Sequence, residues 1–362
     1  MNKKIKIALL GIGKIGERHL NLLNSKSLKN KFEIIAVCEK SKKKISIIKK
    51  KFNKVKIYSD FKEMLKKNPS IDIVSICSAS GYHYEHAKIS YNFKKNIIVE
   101  KPLALNFKEA VFLTKKFKKI QKKIFVVMQN RFNPPIVALK QFLKKNKLGK
   151  ISSALVLVWW CRDQNYYKQN SWRGTWKLDG GVLSNQAIHH LDMLLYLLGD
   201  VKSVMGQIKR KFVKIESEDY GSALIQLKSG ASAVIQASNA TRPRNLEGSI
   251  TIHGEKGSIK IGGTTMNKIE FWIDNKKGEN NKKIIRKFNN QKKSINGHKK
   301  FYDHVYDAFY NNTKYIDGKE GIRSIELVNA IYYSALKGKK IFLPLKNSIN
   351  KFDKKIENEI KS

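Results

Sequence analysis

The chain has 362 residues, 41% of them hydrophobic, which is enough for two domains that each bury a core. No stretch approaches the ~18 uncharged apolar residues that span a bilayer, and the opening apolar run passes straight into a glycine loop without a signal-peptide cleavage pattern. The net charge is +44; nearly all of the excess is lysine, spread over every predicted helix alongside heavy Asn and Ile usage, as an A/T-rich genome would give. No nucleic-acid motif accompanies it, so the charge is read as compositional and as steering anions without specifying a partner. The reading is therefore a protein with neither a nucleic-acid nor a membrane partner. Three cysteines, Cys38, Cys77 and Cys161, are far apart and in no metal spacing, which predicts a reducing cytoplasm and no metal.

In chain order, the first strands are expected at Ile5–Leu10, Phe32–Cys38, Lys56–Ser59, Ile71–Cys77, Ile97–Val99 and Ile124–Met128. Amphipathic helices lie between them, for example Ile15–Leu23 and Phe107–Phe117. This alternation predicts an α/β domain, residues 1–127, with a doubly wound parallel sheet covered on both faces. From residue 128 the texture changes. One long apolar helix is expected over Leu183–Leu198. Alternating segments follow at Ser222–Leu227, Ser232–Ala237, Ser249–His253, Ser258–Ile261 and Ile269–Ile273. They predict an open, mostly antiparallel sheet in a second domain, residues 128–347. A helix over Gly321–Leu336 and a strand at Ile341–Leu345 close that domain, and residues 348–362 read as a charged tail.

Gly11-Ile-Gly13-Lys-Ile-Gly16 follows the first strand and opens a helix. In that context the first glycine makes a tight turn, the second admits a pyrophosphate to the backbone, and the third lets helix and strand pack closely. The amides at the helix start, Lys14 and Ile15 among them, face the phosphates. Glu39 ends the second strand roughly 20 residues past the loop, where a carboxylate accepts from ribose hydroxyls and repels a 2′-phosphate, favouring NAD over NADP. Lys40 and the lysines of 42–44 weaken that preference.

Two further stretches fall at strand ends that line the ligand crevice of such a sheet. One runs from Ser75 to His86 and includes Ser78 and His83. The other is Glu100-Lys101-Pro102. A lysine in a partly dry cleft has its pKa lowered and serves as acid, base or electrostatic clamp, although a solvated lysine is the bland alternative in so lysine-rich a chain. In the second domain Asn185, His189 and Asp192 follow i, i+4, i+7 spacing and are expected on one helix face, with Asp192 orienting the His189 ring for proton transfer. His190 reads as structural. Among the few arginines, Arg131, Arg162 and Arg173 stand in motif-like stretches, and a guanidinium fork matches phosphate or carboxylate.

The glycine loop, Glu100-Lys101-Pro102 and the glycine-led helix with His189 and Asp192 resemble, in that order and spacing, the glucose–fructose oxidoreductase / inositol dehydrogenase family. The resemblance covers essentially the whole chain and implies a Rossmann domain followed by an α/β domain whose open sheet forms the interface of a homotetramer. It implies Lys101 and His189 as the residues beside nicotinamide and reacting carbon. Gln129-Asn-Arg131, Trp160-Cys-Arg162-Asp-Gln-Asn-Tyr166-Tyr167, Trp172-Arg173 and Ser184-Asn185 are similar to the branch that oxidises UDP-N-acetylglucosaminuronic acid at carbon 3 for bacterial O-antigens, some members of which recycle NADH with 2-oxoglutarate. That likeness implies cofactor contacts from Gln129, Trp172 and Arg173, besides Gly11, Gly13, Lys14, Ile15, Gly16, Glu39, Ser78, His83, Glu100 and Lys101. It implies substrate contacts from Lys101, Arg131, Arg162, Tyr166, Tyr167, Asn185, His189 and His298. Asn185 stands where the wider family has Asp, which shifts acid–base work to His189 and Lys101. Asp179 stands where many relatives have Gly, a departure expected to leave the chemistry intact. The competing functions are oxidation of a free polyol or sugar, and a non-catalytic NAD-binding scaffold.

Overall fold

The computed structural model describes residues 3–52, 55–275, 278–290, 297–311 and 313–346. The chain divides into two compact units, one comprising Met1–Val127 and His298–Ile322, the other Met128–Gly297 and Arg323–Ser362. The second domain expected from the sequence ran unbroken to residue 347, and here the structure differs. Residues 298–322 return to the first unit, where Tyr302 and Phe301 are fully buried. The expected tail, 348–362, lies outside the described residues.

In the first unit six strands, β1 (Ile5–Leu10), β2 (Phe32–Cys38), β3 (Lys56–Tyr58), β4 (Ile73–Ile76), β5 (Asn96–Val99) and β6 (Ile124–Val126), form one sheet in the order β3-β2-β1-β4-β5-β6. Every pairing in it is parallel. Helices α1 (Lys14–Leu23), α2 (Lys42–Lys51), α3 (Phe61–Lys67), α4 (His83–Asn92) and α5 (Phe107–Lys119) alternate with the strands. β4 is buried at all its positions, as a central strand covered on both faces must be, which is why its sequence is a continuous apolar run broken only by Ser75. The strand order reverses between β1 and β4, and ligands of doubly wound sheets bind at the carboxyl ends flanking such a reversal.

In the second unit α6 (Pro134–Lys144), α7 (Gln164–Lys168) and α8 (Ile188–Leu198) accompany an eight-stranded sheet. Its strands are β7 (Ile151–Trp159), β8 (Val201–Lys209), β9 (Tyr220–Leu227), β10 (Ser232–Ser238), β11 (Glu247–Gly254), β12 (Gly257–Gly262), β13 (Lys268–Asp274) and β14 (Ile341–Phe342). The order is β13-β12-β11-β7-β10-β9-β8-β14, antiparallel except for β7 against β10. One face is core, with Val156, Ile225, Ile235, Ile250 and Ile252 buried and α8 packed against β7 and β11. The opposite face carries a row of directly opposed apolar side chains, Leu155, Val234, Leu224 and Met205, between 37% and 59% exposed. Strands β7 and β8 were not among those the sequence predicts. Leu155, Leu157 and Met205 put apolar groups at outward positions and erase the period-two contrast on which strand prediction rests.

The long helix also differs. Leu183–Ala187 is a π-helical turn, and only Ile188–Leu198 is α-helix. A final helix spans Gly318–Lys337, slightly longer than expected, and the last strand stops at Phe342, before Pro344.

Candidate active site

At the crevice of the first unit the glycine loop meets the geometric requirements of a phosphate cradle. Gly11 sits at φ +83°, a left-handed conformation, and a Cβ there would come within 3.0 Å of the Ser78 backbone. A Cβ at Gly16 would lie 2.0 Å from the Gly11 carbonyl oxygen. Gly13 has nothing within 4 Å of a Cβ position, so its backbone is open to a ligand where α1 begins and the first helical amides point outward. Exposed Lys14 and partly buried Ile15 follow it. The Glu39 carboxylate accepts from the Ile12 amide at 2.7 Å and the Ser41 amide at 2.9 Å. These bonds hold the acid at the mouth of the loop with lone pairs to spare for hydroxyl donors. These residues fit the diphosphate and ribose of NAD.

Past β5, Glu100 is buried at 6% exposure and Lys101 is partly exposed. Glu100 Oε1 accepts from His19 Nε2 at 3.0 Å, its Oε2 accepts from the Lys101 amide at 3.2 Å, and His298 Nε2 lies 3.8 Å from Oε1. His19 Nδ1 stands 2.8 Å from the Tyr302 hydroxyl. Burial works against charge on both partners, but His19 and His298 outweigh it and hold Glu100 well below the usual carboxylate range. For His19, Cys77, Tyr302 and Glu100 likewise outweigh burial and hold the ring well above the usual histidine value. The structure thus gives His298 a buried place beside Glu100 and His19, within the first unit. His83 is also buried, with Nδ1 2.6 Å from the Pro102 carbonyl and Nε2 3.1 Å from the Ser78 carbonyl. It ties the loop after β4 to the turn after Lys101, and burial lowers its pKa. Ser78 bonds His86, whose pKa burial drives down to about 4.

In the second unit the shared face expected for Asn185, His189 and Asp192 is broken. The π-turn carries Asn185 out of α-helical register. Asp192 is buried and takes both Nε and Nη2 of Arg131, at 2.9 and 2.6 Å. Arg131 in turn stacks on Tyr196, 4.8 Å from the ring centre. Asp192 and Arg131 thus form a buried bidentate pair, which corrects the expectation that Asp192 orients His189. His189 and Asn185 remain partly exposed. His190 is fully buried against Trp160 and Gly248, and burial lowers it to about 4, consistent with its structural reading. Asp179 is more than a neutral departure. Its Oδ1 accepts from the Asn185 amide and its Oδ2 from the Gly174 amide, the latter at 2.8 Å, so it fixes Asn185 from below.

Arginine and aromatic side chains interleave beside this helix start. Arg162 lies over Trp160 and Tyr166, 5.2 and 5.1 Å from their ring centres, and Arg173 over Tyr166 and Trp172, 4.2 and 4.8 Å. The Nε atoms of both arginines, and Gln129 Oε1, are buried without a hydrogen-bond partner among the described residues. A buried polar atom in this state calls for a partner from outside the protein, a water, an ion or a ligand. Arg173 also lines a cavity of about 790 Å³ with Lys168, Arg210, Lys211, Lys214 and Gly174, within the size range of small-molecule sites. Tyr167 is buried, with its hydroxyl accepting from Asn239 at 3.0 Å, so it braces the wall of this region.

Sequence reasoning passed over His19, Tyr302 and the anchoring role of Asp179. His19 carried a signal, since it sits one turn past Gly16 on the face of α1 that holds Leu20 and Leu23; a polar side chain on a buried face needs a partner.

Comparison with known proteins agrees with this geometry. Residues 5–128 match the model for the NAD-binding Rossmann fold of the GFO_IDH_MocA oxidoreductase family, and residues 140–343 match the model for that family's C-terminal alpha/beta domain. The structure is similar to the WlbA dehydrogenase of Chromobacterium violaceum in complex with NADH and UDP-GlcNAcA, at 33% identity and TM-score 0.89, covering 96% of this chain and 98% of that one. It is similar too to the WlbA dehydrogenase of Bordetella pertussis bound to the same two molecules, at 32% identity and TM-score 0.88, over 95% and 99% of the chains. By sequence, the myo-inositol 2-dehydrogenase of Thermotoga maritima is 26% identical over 70% of this chain and 74% of that protein. No helix among the described residues is long and apolar enough to cross a membrane.

Proposed function

The chain belongs to the GFO_IDH_MocA oxidoreductase family, and on that premise we propose that it oxidises the carbon-3 hydroxyl of UDP-N-acetylglucosaminuronic acid, or a close nucleotide-uronate, to the 3-keto sugar. The observation that carries this reading is the Trp160–Arg162–Tyr166–Arg173–Trp172 stack beside the cationic cavity. Two guanidinium groups with unsatisfied buried donors suit a substrate bearing both a diphosphate and a carboxylate, and a free polyol offers neither. The likeness to two WlbA dehydrogenases over nearly the full chain supports the same substrate class.

The glycine loop, Glu39 and the Lys101 turn hold the cofactor. NAD supplies the acceptor for the hydride that leaves carbon 3. The hydroxyl proton passes to the Lys101 amine or the His189 imidazole, each partly exposed and so able to hand it on to water. Asn185 cannot carry a proton; Asp179 holds its amide for a substrate contact. The row of Leu155, Val234, Leu224 and Met205 supports assembly into a homo-oligomer through this sheet face, because aligned apolar side chains of this kind mark an interface.

The test is reduction of NAD by the purified protein given UDP-N-acetylglucosaminuronate, followed by absorbance of the reduced nicotinamide, with 2-oxoglutarate added to detect recycling. Lys101→Met and His189→Ala should each lower turnover by about 10²–10⁴-fold while NADH still binds. A second reading, a free polyol as substrate, is favoured by the likeness to myo-inositol 2-dehydrogenase. Turnover of myo-inositol that UDP fails to inhibit would replace the first reading with the second.

A further inference from the structure

Glu100 stands between two functional pieces of the first unit. One of its oxygens accepts from His19 of α1, the helix opened by the glycine loop, at 3.0 Å, and the other accepts from the backbone amide of Lys101 at 3.2 Å. His19 is itself held from its far side by the Tyr302 hydroxyl at 2.8 Å, with Ser75 Oγ at 3.4 Å and Cys77 Sγ at 3.6 Å. The His298 and Tyr302 rings meet the His19 ring edge-on, with centres 5.4 and 5.5 Å away. His19, Ser75 and Tyr302 are completely buried. Taking a carboxylate and an imidazole out of water carries a desolvation cost that apolar side chains of the same volume avoid, so the fold gains little from charge here. What an ion pair gives, and an apolar pair does not, is direction. It fixes the Glu100 rotamer and therefore where the Lys101 amide can sit.

We propose that His19 is a positioning residue for the reaction: by clamping Glu100 to α1 it sets the turn from which Lys101 projects, and so couples the cofactor loop to the Lys101 amine. The inference rests on the reading of Lys101 as a participant in proton transfer. Residues 298–322 complete the device, because His298 and Tyr302 come from the segment that returns to this unit.

The experiment compares His19→Leu, His19→Gln, the double variant His19→Leu/Glu100→Gln and Lys101→Met with the full-length protein. Three quantities are read: kcat with UDP-N-acetylglucosaminuronate, NADH affinity by fluorescence titration, and acetylation of the Lys101 amine across pH by mass spectrometry. His19→Leu should lower kcat by about 10²-fold, as expected of a misplaced reacting group, while NADH affinity and KM stay within about threefold. The acetylation profile of Lys101 should move while those of surface lysines do not. His19→Gln, which keeps a donor toward Glu100, should recover much of the rate. The double variant leaves no unpaired buried charge, so it should remain folded and show the same deficit. Turnover within about twofold of the parent with an unmoved Lys101 profile overturns the proposal, as does a rate loss matched by an equal loss of NADH affinity. If Lys101→Met itself keeps full turnover, the reading of Lys101 fails, and the acetylation profile still decides whether His19 positions its turn.

Discussion

Glu218 offers a quantitative test of how the helix start that carries Asn185 and His189 is supported. The residue is fully buried. Its Oε1 accepts from the Leu183 amide at 3.0 Å and the Tyr332 hydroxyl at 2.7 Å, and its backbone carbonyl accepts from the Val182 amide at 3.0 Å. Both amides belong to the entry of the π-turn. Burial is the largest influence on the carboxyl and raises its pKa from 4.5 to about 8, with Asp219 adding to the rise and the hydrogen bonds opposing it. At neutral pH the native side chain is therefore a neutral acid. The unfolded chain releases that proton near pH 4.5 and the native state only near 8, so its stabilising contribution is complete below 4.5 and is lost as pH rises toward 8. At about 1.4 kcal/mol per pH unit, the loss integrated over that window approaches about 5 kcal/mol. Glu218→Gln keeps the shape and the acceptor but cannot ionise. Its stability relative to the parent should rise across the same window, from near equality at pH 4.5 to a gain of several kcal/mol at pH 8. Urea unfolding followed by tryptophan fluorescence is suited to this, because all five tryptophans lie in the second unit. A difference between variant and parent that stays flat from pH 4.5 to 8 would falsify the neutral buried acid.

Three further outcomes follow from the geometry. Gly16→Ala places a methyl 2.0 Å from the Gly11 carbonyl oxygen, a backbone atom that cannot turn aside, so NADH affinity should drop at least about 100-fold in a fluorescence titration; near-normal binding would refute the cradle. Asp192→Asn removes the charge opposite Arg131 in a pair with side chains only 2% and 6% exposed and should cost about 3–5 kcal/mol of stability, whereas a change under about 1 kcal/mol in the tryptophan-monitored transition would mean the pair is solvated. Leu224→Glu inserts a charge into the middle of the exposed apolar row; under the proposed assembly through this face, the parent should show a multiple of the monomer mass in light scattering and the variant the monomer mass, with the sheet still folded. A mass unchanged by the substitution would refute assembly through this face.

What could be seen in the sequence, and what could not, divides along a physical line. The glycine loop, Glu39 at the end of β2 and the six parallel strands were legible because each is decided locally, by a glycine that must turn or by a β-branched run that must be buried. The partners of charged side chains were not. Nothing near Asp192 in sequence says that its carboxylate belongs to Arg131, 61 residues away, and helical spacing suggested His189 instead. The π-turn escaped for a related reason, since apolar residues at helical intervals read the same whether the backbone closes at four residues or five. His19 and Glu100 are 81 residues apart, and Tyr302 lies 283 from His19, so the buried cluster exists only once a late segment has come back to the first unit. Long-range pairs of this kind decide which of several plausible acids and bases are spent on structure. The Asp192 carboxylate is spent on Arg131, and the His83 ring lies between two carbonyls. Lys101 and His189, the two residues proposed for proton transfer, are both partly exposed, an accessibility the proposal requires of them and one that spacing along the chain does not report.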